Sequence, residues 1–281
     1  MLRSLHLVRR NPLAVVGLSG VLLIGVVAVF APMIAPSPHD AIETHIAKRF
    51  IPPCLGHPFG TDELGRDVFS RVLLGARISV RSAILALSLV LAIGVPLGAI
   101  AGYTGGVLGE VIMRTTDVFL SFPPLLLALA ISAMLGPSLS NALIAIAMAW
   151  WPWYTRILRS AAMSVREREF IQSAKAIGAS NWRIVFRHVL PNCLPPIVVQ
   201  ASMDFGSIVL TLASLSYLGL GAQPPAPEWG LMVSTGRTFF LTKWWIVAFP
   251  GLAIFASALS FNLTGDGLTE IMDPRWRRLR G

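Results

Sequence analysis

Five stretches of this chain carry no Asp, Glu, Lys or Arg: residues 13–30, 82–109, 118–155, 205–227 and 244–265. A bilayer-crossing helix needs about 20 predominantly apolar residues, and most of these stretches reach that length. With 54% hydrophobic and 13% charged residues in 281, the chain has too little polar surface to cover a soluble globule. An all-α membrane protein is therefore expected.

A net charge of +9 would suit a nucleic-acid binder if the basic residues formed one face. They lie instead in short segments flanking the apolar runs, the pattern of membrane topology, so nucleic acid is not expected among the partners. The basic start, Met1 to Arg10, precedes an apolar run over 13–34 that is too long for a signal peptide and reads as a retained first span. Cys54 and Cys193 are expected on opposite sides of the membrane, with no disulfide between them.

The first span is expected over 13–34, with exit favoured by Pro32, Pro36 and Pro38. A polar segment of about forty residues follows, in which Pro52, Pro53 and Gly56 argue against one continuous helix. Span two is expected over 79–102, ending at Gly102-Tyr103-Thr104-Gly105-Gly106. The run 118–155 is too long for one crossing, and a break at Gly136-Pro137-Ser138 makes it a hairpin of spans three and four. A polar region over 156–188 precedes span five, and span six is expected over 244–263. Of the 23 Lys and Arg, this six-span arrangement with both termini inside places 15 in inner segments, and a basic excess marks the cytoplasmic side.

Within the polar region, Phe170-Ile171-Gln172-Ser173-Ala174-Lys175-Ala176-Ile177-Gly178-Ala179-Ser180-Asn181-Trp182 continues to His188-Val189-Leu190-Pro191. It reads as a short amphipathic helix with small residues, a glycine that permits a sharp turn, a second helical piece and a proline re-entering the membrane. Small side chains let another protein approach the backbone closely, so the segment is a candidate docking knob.

This segment resembles the cytoplasmic loop of bacterial ATP-binding-cassette importer permeases, whose frame is Glu-Ala-Ala, three residues, Gly, nine residues, Ile, one residue, Leu-Pro. Gln172-Ser173-Ala174, Gly178, His188, Leu190 and Pro191 keep its spacing, with Gln for Glu, Ser for Ala and His for Ile. Further segments are similar to the second permease of the dipeptide, oligopeptide and nickel branch (binding-protein-dependent transport system inner membrane components). They are Phe59 to Asp67 with Ser70-Arg71, Met113-Arg114 with Asp117 and Phe122-Pro123, Leu218 to Gly221 with Glu228-Trp229-Gly230, and Asn262 with Gly265 to Leu268 and Asp273-Pro274-Arg275.

The resemblance implies six transmembrane helices in the type I importer permease fold, in a bacterial inner membrane. It implies an N-terminal unit over 1–78, a permease core over 79–270 with a coupling helix at about 165–190, and a basic tail over 271–281. Gln172, Ser173, Ala174, Gly178, Ala179, Ser180, Leu190 and Pro191 would couple to an ATPase subunit. The implied partners are a homologous first permease, two ATP-binding subunits, an extracytoplasmic substrate-binding protein and the lipid bilayer. No cofactor or metal is expected in this chain; ATP and Mg belong to the partner subunits, since no phosphate-cradling Gly-x-x-x-x-Gly-Lys-Ser/Thr occurs here. Short peptides are the implied substrate, with nickel, haem, glutathione or opines as alternatives.

Other residues carry structural expectations. Thr61 or Asp62 can cap the helix leading into span two, and Arg114 and Asp117, three apart, can pair on one helical face. Trp150 to Tyr154 read as an interfacial belt. Asp204 lies inside span five, where a charge must face the bundle or water, so it is either hydrogen-bonded glue or a lining of the translocation path.

Two other function classes fit the sequence less well. Gly17-Leu18-Ser19-Gly20 superficially matches the serine motif of intramembrane rhomboid proteases, but no histidine lies within a span to act as base, so these small residues are assigned to helix packing. An ion-coupled secondary transporter would need paired midplane ionisable groups in two related halves, and Asp204 stands alone. His39, His45 and His57 lack metal-site spacing and are read as solvated.

Overall fold

The computed structural model describes residues 12–272, with side chains described to residue 270; the basic N-terminal and C-terminal segments at 1–11 and 273–281 lie outside the described residues. α1 (Pro12–Ile34) contains no charged residue and runs about 35 Å at 1.5 Å per residue. α2 (Val68–Thr104), α3 (Gly106–Leu120), α4 (Pro124–Leu135) and α5 (Leu139–Arg166) follow. Beyond them come α6 (Glu169–Ala176), α7 (Asn181–Ile184), α8 (Leu190–Tyr217), the short α9 (Trp229–Gly236) and α10 (Trp245–Met272). No strand occurs among the described residues, only isolated bridges such as Thr61–Asp67.

Four helical segments are long and apolar enough to cross a bilayer: Pro12–Ile34, Val68–Thr104, Asn181–Tyr217 and Trp245–Glu270. α3 and α4 meet the same criterion only as a pair, bent by 89° at a short break. That bend corrects the simple hairpin expected over 118–155. Pro123 and Pro124 deny the backbone two amide donors there, so a second break sits at Phe122-Pro123 besides the one at Gly136. α5 is as long as α8 and α10, but Arg156, Arg159 and Arg166 lower the hydropathy of its second half.

The largest helix pair, α2 against α5, is built on glycine. A Cβ added at Gly94, Gly98 or Gly102 would lie 2.6 Å from the carbonyl oxygen of Trp151, Thr155 or Arg159 respectively. Small residues one helical turn apart let backbones approach this closely. Thr155 Oγ1 then donates to Gly94 O at 3.1 Å. In the same way Gly17 and Gly20 sit against Leu263, Thr264 and Ser260 of α10, while Ser19 Oγ donates to its own helix at Val16 O.

Between α1 and α2 the polar segment has little regular structure, yet it is fixed by buried polar contacts. Asp62 accepts from Arg66 Nε at 2.7 Å and lies 3.6 Å from Arg71 Nε, with Arg66 and Arg71 almost fully buried. Arg66 also reaches Glu63 at 3.1 Å. Gly65 has φ +76°, and a Cβ there would fall 1.9 Å from His45 O, so this turn excludes any side chain. Trp245 of α10 donates to Thr61 O at 3.1 Å, tying the segment to the last helix.

The cap of α2 is Asp67, whose carboxylate accepts from Ser70 N at 2.8 Å, rather than Thr61 or Asp62. Asp62 is consumed by its arginines and by the backbone amides of Leu64 and Arg66. His57 meets Asp67 at 2.9 Å and His45 meets Asp40 at 3.0 Å, so these two histidines are held by carboxylates rather than solvated. Cys54 lies in this segment and Cys193 near the start of α8.

Candidate coupling segment and intramembrane polar contact

α5 ends at Arg166, and Arg168 turns the chain in extended conformation before α6. α6 is amphipathic: Ile171 and Ala174 are buried in the bundle, while Gln172, Ser173, Lys175 and Ala176 face outward. It stops because Gly178 takes φ +81°. Gly178 N donates to Lys175 O at 3.0 Å and Ala179 N to Ala174 O at 3.1 Å, the paired bonds of a Schellman ending. Ser180 then caps α7, its hydroxyl accepting from Arg183 N at 3.4 Å.

A π-helical turn, Val185–Val189, joins α7 to α8. Such turns absorb an extra residue in the helical path, here immediately before Leu190-Pro191. Leu190 is half-buried and Pro191 exposed.

The outer face of this segment also carries large apolar side chains. Ile177 is 85% exposed and Trp182 69%, either side of the Gly178 turn, and Phe170 is exposed at the start of α6. An exposed aromatic and aliphatic patch, with Trp182 packed on the Phe186 ring at 4.1 Å, suits contact with another chain. Inward, the segment is wired to the bundle: Tyr103 at the end of α2 donates from its hydroxyl to Asn181 Oδ1 at 2.9 Å. Arg166 Nη1 donates to Tyr103 O at 3.1 Å, and Lys175 Nζ lies 5.3 Å from the Tyr103 ring centroid. Sequence reasoning missed Tyr103; an aromatic residue at a span end beside Gly105-Gly106 was the available signal.

Of the eight residues expected at the coupling surface, Ala174 turns inward as an anchor, Ala179 and Leu190 are half-buried, and Gln172, Ser173, Gly178, Ser180 and Pro191 are exposed. Gln172 Nε2 donates to Arg166 O at 3.2 Å and Ser173 Oγ to Glu169 O at 3.0 Å, so both also stabilise the turn they decorate.

Asp204, half-buried on α8, accepts from Tyr154 Oη at 2.7 Å and from Gln200 Nε2 at 3.0 Å. The Tyr154 bond ties α5 to α8, and Asp204 remains half-buried. The aromatic run of α5 is correspondingly not an interfacial belt: Trp151 and Tyr154 are buried and Trp153 alone of the four aromatic residues is exposed. The pairing of Arg114 and Asp117 also departs from expectation. Arg114 bonds Glu110 at 2.8 Å, one turn back, and Asp117 bonds Arg156 of α5 at 2.6 Å, because the neighbouring helix offers Asp117 a better-placed partner.

Residues 94–278 match the family model of the binding-protein-dependent transport system inner membrane component, and residues 4–53 match the N-terminal TM domain of oligopeptide transport permease C. The chain belongs to this permease family. It is a transport subunit of the ATP-binding-cassette importers, as the resemblance implied. It is 44% identical over 269 residues to the probable D,D-dipeptide transport system permease protein DdpC of Escherichia coli, covering 96% of this chain and 90% of that one. It is 47% identical to the dipeptide transport system permease protein DppC of Alkalihalophilus pseudofirmus, covering 96% and 88%. Among solved structures, an inward-facing MetNI methionine ABC transporter chain aligns at a TM-score of 0.56 with 18% identity, over 72% of this chain and 97% of that one. The fold is that of a type I importer permease.

Proposed function

We propose that this chain is the second permease of a bacterial importer of short peptides. It would form the translocation path with a homologous first permease, above two ATP-binding subunits, and receive substrate from an extracytoplasmic binding protein. The observation that carries the peptide reading is near-full-length identity above 40% to permeases named for dipeptide transport. A glutathione permease, GsiD of Pectobacterium atrosepticum, is also 44% identical but over 79% of this chain, and glutathione is itself a small peptide.

The chain is read as spanning the inner membrane six times, counting α5 and taking α3 with α4 as one broken span, with both termini cytoplasmic. The units are 1–78, the permease core over 79–270, and 271–281. ATP-driven closure of the partner ATPases would displace α6 and α7. Gln172, Ser173, Gly178, Ala179, Ser180 and Pro191, with the apolar Ile177 and Trp182, form the contact surface, and Ala174, Leu190 and Tyr103 pass the displacement to α2 and α8. The alternating-access motion then follows from helices that share packed interfaces rather than from flexible linkers.

The test is reconstitution of the complete importer in proteoliposomes, with ATP inside and labelled dipeptide, glutathione or Ni²⁺ outside. ATP- and binding-protein-dependent uptake of dipeptide in preference to the other two is expected. Uptake of Ni²⁺ alone, or peptide uptake independent of ATP, would overturn the proposal.

A further inference from the structure

α3 and α5 enclose a cleft of about 440 Å³ lined by charges of both signs. Glu110 pairs with Arg114 and Asp117 with Arg156, and all four are well exposed. Arg159 also lines the cleft; it makes no ion pair among the described residues, and its buried Nε has no hydrogen-bond partner.

The depth of these groups restricts what they face. α3 begins just after Gly105, and α5 ends at Arg166, which is bonded to Tyr103 beside that glycine. Gly102 of α2 packs against the Arg159 carbonyl of α5, so Arg156, one turn before Arg159, lies about 9 Å from the Gly105 level, and Asp117 lies about 18 Å along α3. An exposed ion pair on these helices faces water or a partner protein rather than acyl chains, because charge against lipid is too costly.

We propose that this cleft is a transit subsite for the charged ends of a zwitterionic peptide, an inference that rests on the peptide reading above. Arg159 receives the carboxylate, its planar guanidinium presenting paired donors to two oxygens. Asp117 or Glu110 receives the ammonium. Exposed ion pairs contribute little in water, so the resident pairs exchange for substrate at small cost and release it as readily. Met113 and Met163 complete the lining, and methionine adapts to side chains of differing shape. A phosphate-bearing lipid head group is the less favoured occupant, since two carboxylates flank the arginine.

The proposal is tested in proteoliposomes holding the complete importer, with Ala-Ala as substrate and uptake per ATP hydrolysed as the readout. Arg159→Gln should lower that ratio five- to tenfold, Arg159→Lys should recover part of it by restoring the charge, and Asp117→Asn should lower it independently. A ratio equal to wild type in Arg159→Gln, or equal falls of uptake and hydrolysis that leave the ratio intact, would overturn the subsite. Each complex is also compared in phosphatidylcholine alone and with phosphatidylglycerol. The wild-type ratio should not depend on this change; a fall to the Arg159→Gln level in phosphatidylcholine would assign the arginine to lipid instead. Failure of wild type to import peptide would sink the peptide reading itself, whereas failure confined to the variants sinks only the subsite.

Discussion

The Tyr154 hydroxyl donates to Asp204 Oδ2 at 2.7 Å, joining α5 to α8 across fifty residues of sequence. Interhelical side-chain hydrogen bonds in membranes are each worth about 0.5–2 kcal/mol. Tyr154→Phe and Asp204→Asn should each destabilise the helix pair, and a double-mutant cycle should return a coupling of about 1 kcal/mol. Thermal unfolding of the detergent-solubilised chain measures it; strictly additive losses would mean the two groups do not interact.

The α2–α5 interface makes a second prediction through Gly98. A methyl there meets Thr155 O at 2.6 Å and Leu158 Cβ at 2.8 Å, so Gly98→Ala must push the helices apart despite alanine's better helix propensity. The expected loss is about 1–3 kcal/mol, read as a lower unfolding midpoint. Gly25→Ala, with open space around it, serves as the control and should be neutral.

Apolar runs and turn residues made the spans readable, since α1 matches the expected span 13–34 and the start of α10 the charge-free stretch from 244, each to within a residue, and the spacing from Gln172 to Pro191 located the helix–turn–helix. The glycine spacing of 94, 98 and 102 was equally available and went unread. What the sequence could not convey was competition among partners. Asp62 had suitable chemistry for a cap, but two arginines and two amides held it elsewhere, leaving Asp67 to cap α2. Asp117 had Arg114 three residues away and took Arg156 from another helix. Tyr154 read as amphipathic and interfacial until Asp204 gave its hydroxyl a buried partner.

Glu63 provides the pH dependence. Burial first, and the neighbouring Asp62 second, hold its carboxyl above the usual range, and its Oε2 is buried without a hydrogen-bond partner. The folded segment thus keeps this proton to higher pH than the unfolded chain does. Its contribution to stability falls as pH rises from about 4.5, the ordinary glutamate range, through the raised value. Glu63→Gln removes that slope. Limited proteolysis of the segment should find variant and wild type alike at about pH 4, with the variant more resistant at neutral pH; a more resistant wild type at neutral pH would refute this.

The most direct test of energy transmission through the loop is Gly178→Val. The φ of +81° strains any side chain, and strongly a β-branched one, at about 1–3 kcal/mol, yet among the described residues nothing beyond its chain neighbours lies within 4 Å of the added Cβ. The bundle should therefore fold and insert at near-normal levels while the α6–α7 turn is distorted. The measurement is substrate-stimulated ATP hydrolysis by the reconstituted importer carrying this variant. The account predicts lost stimulation or weakened ATPase association with the permease level preserved, and Arg183→Lys should do much less. Full stimulation and normal uptake with Gly178→Val would contradict it, reducing the segment to an ordinary loop.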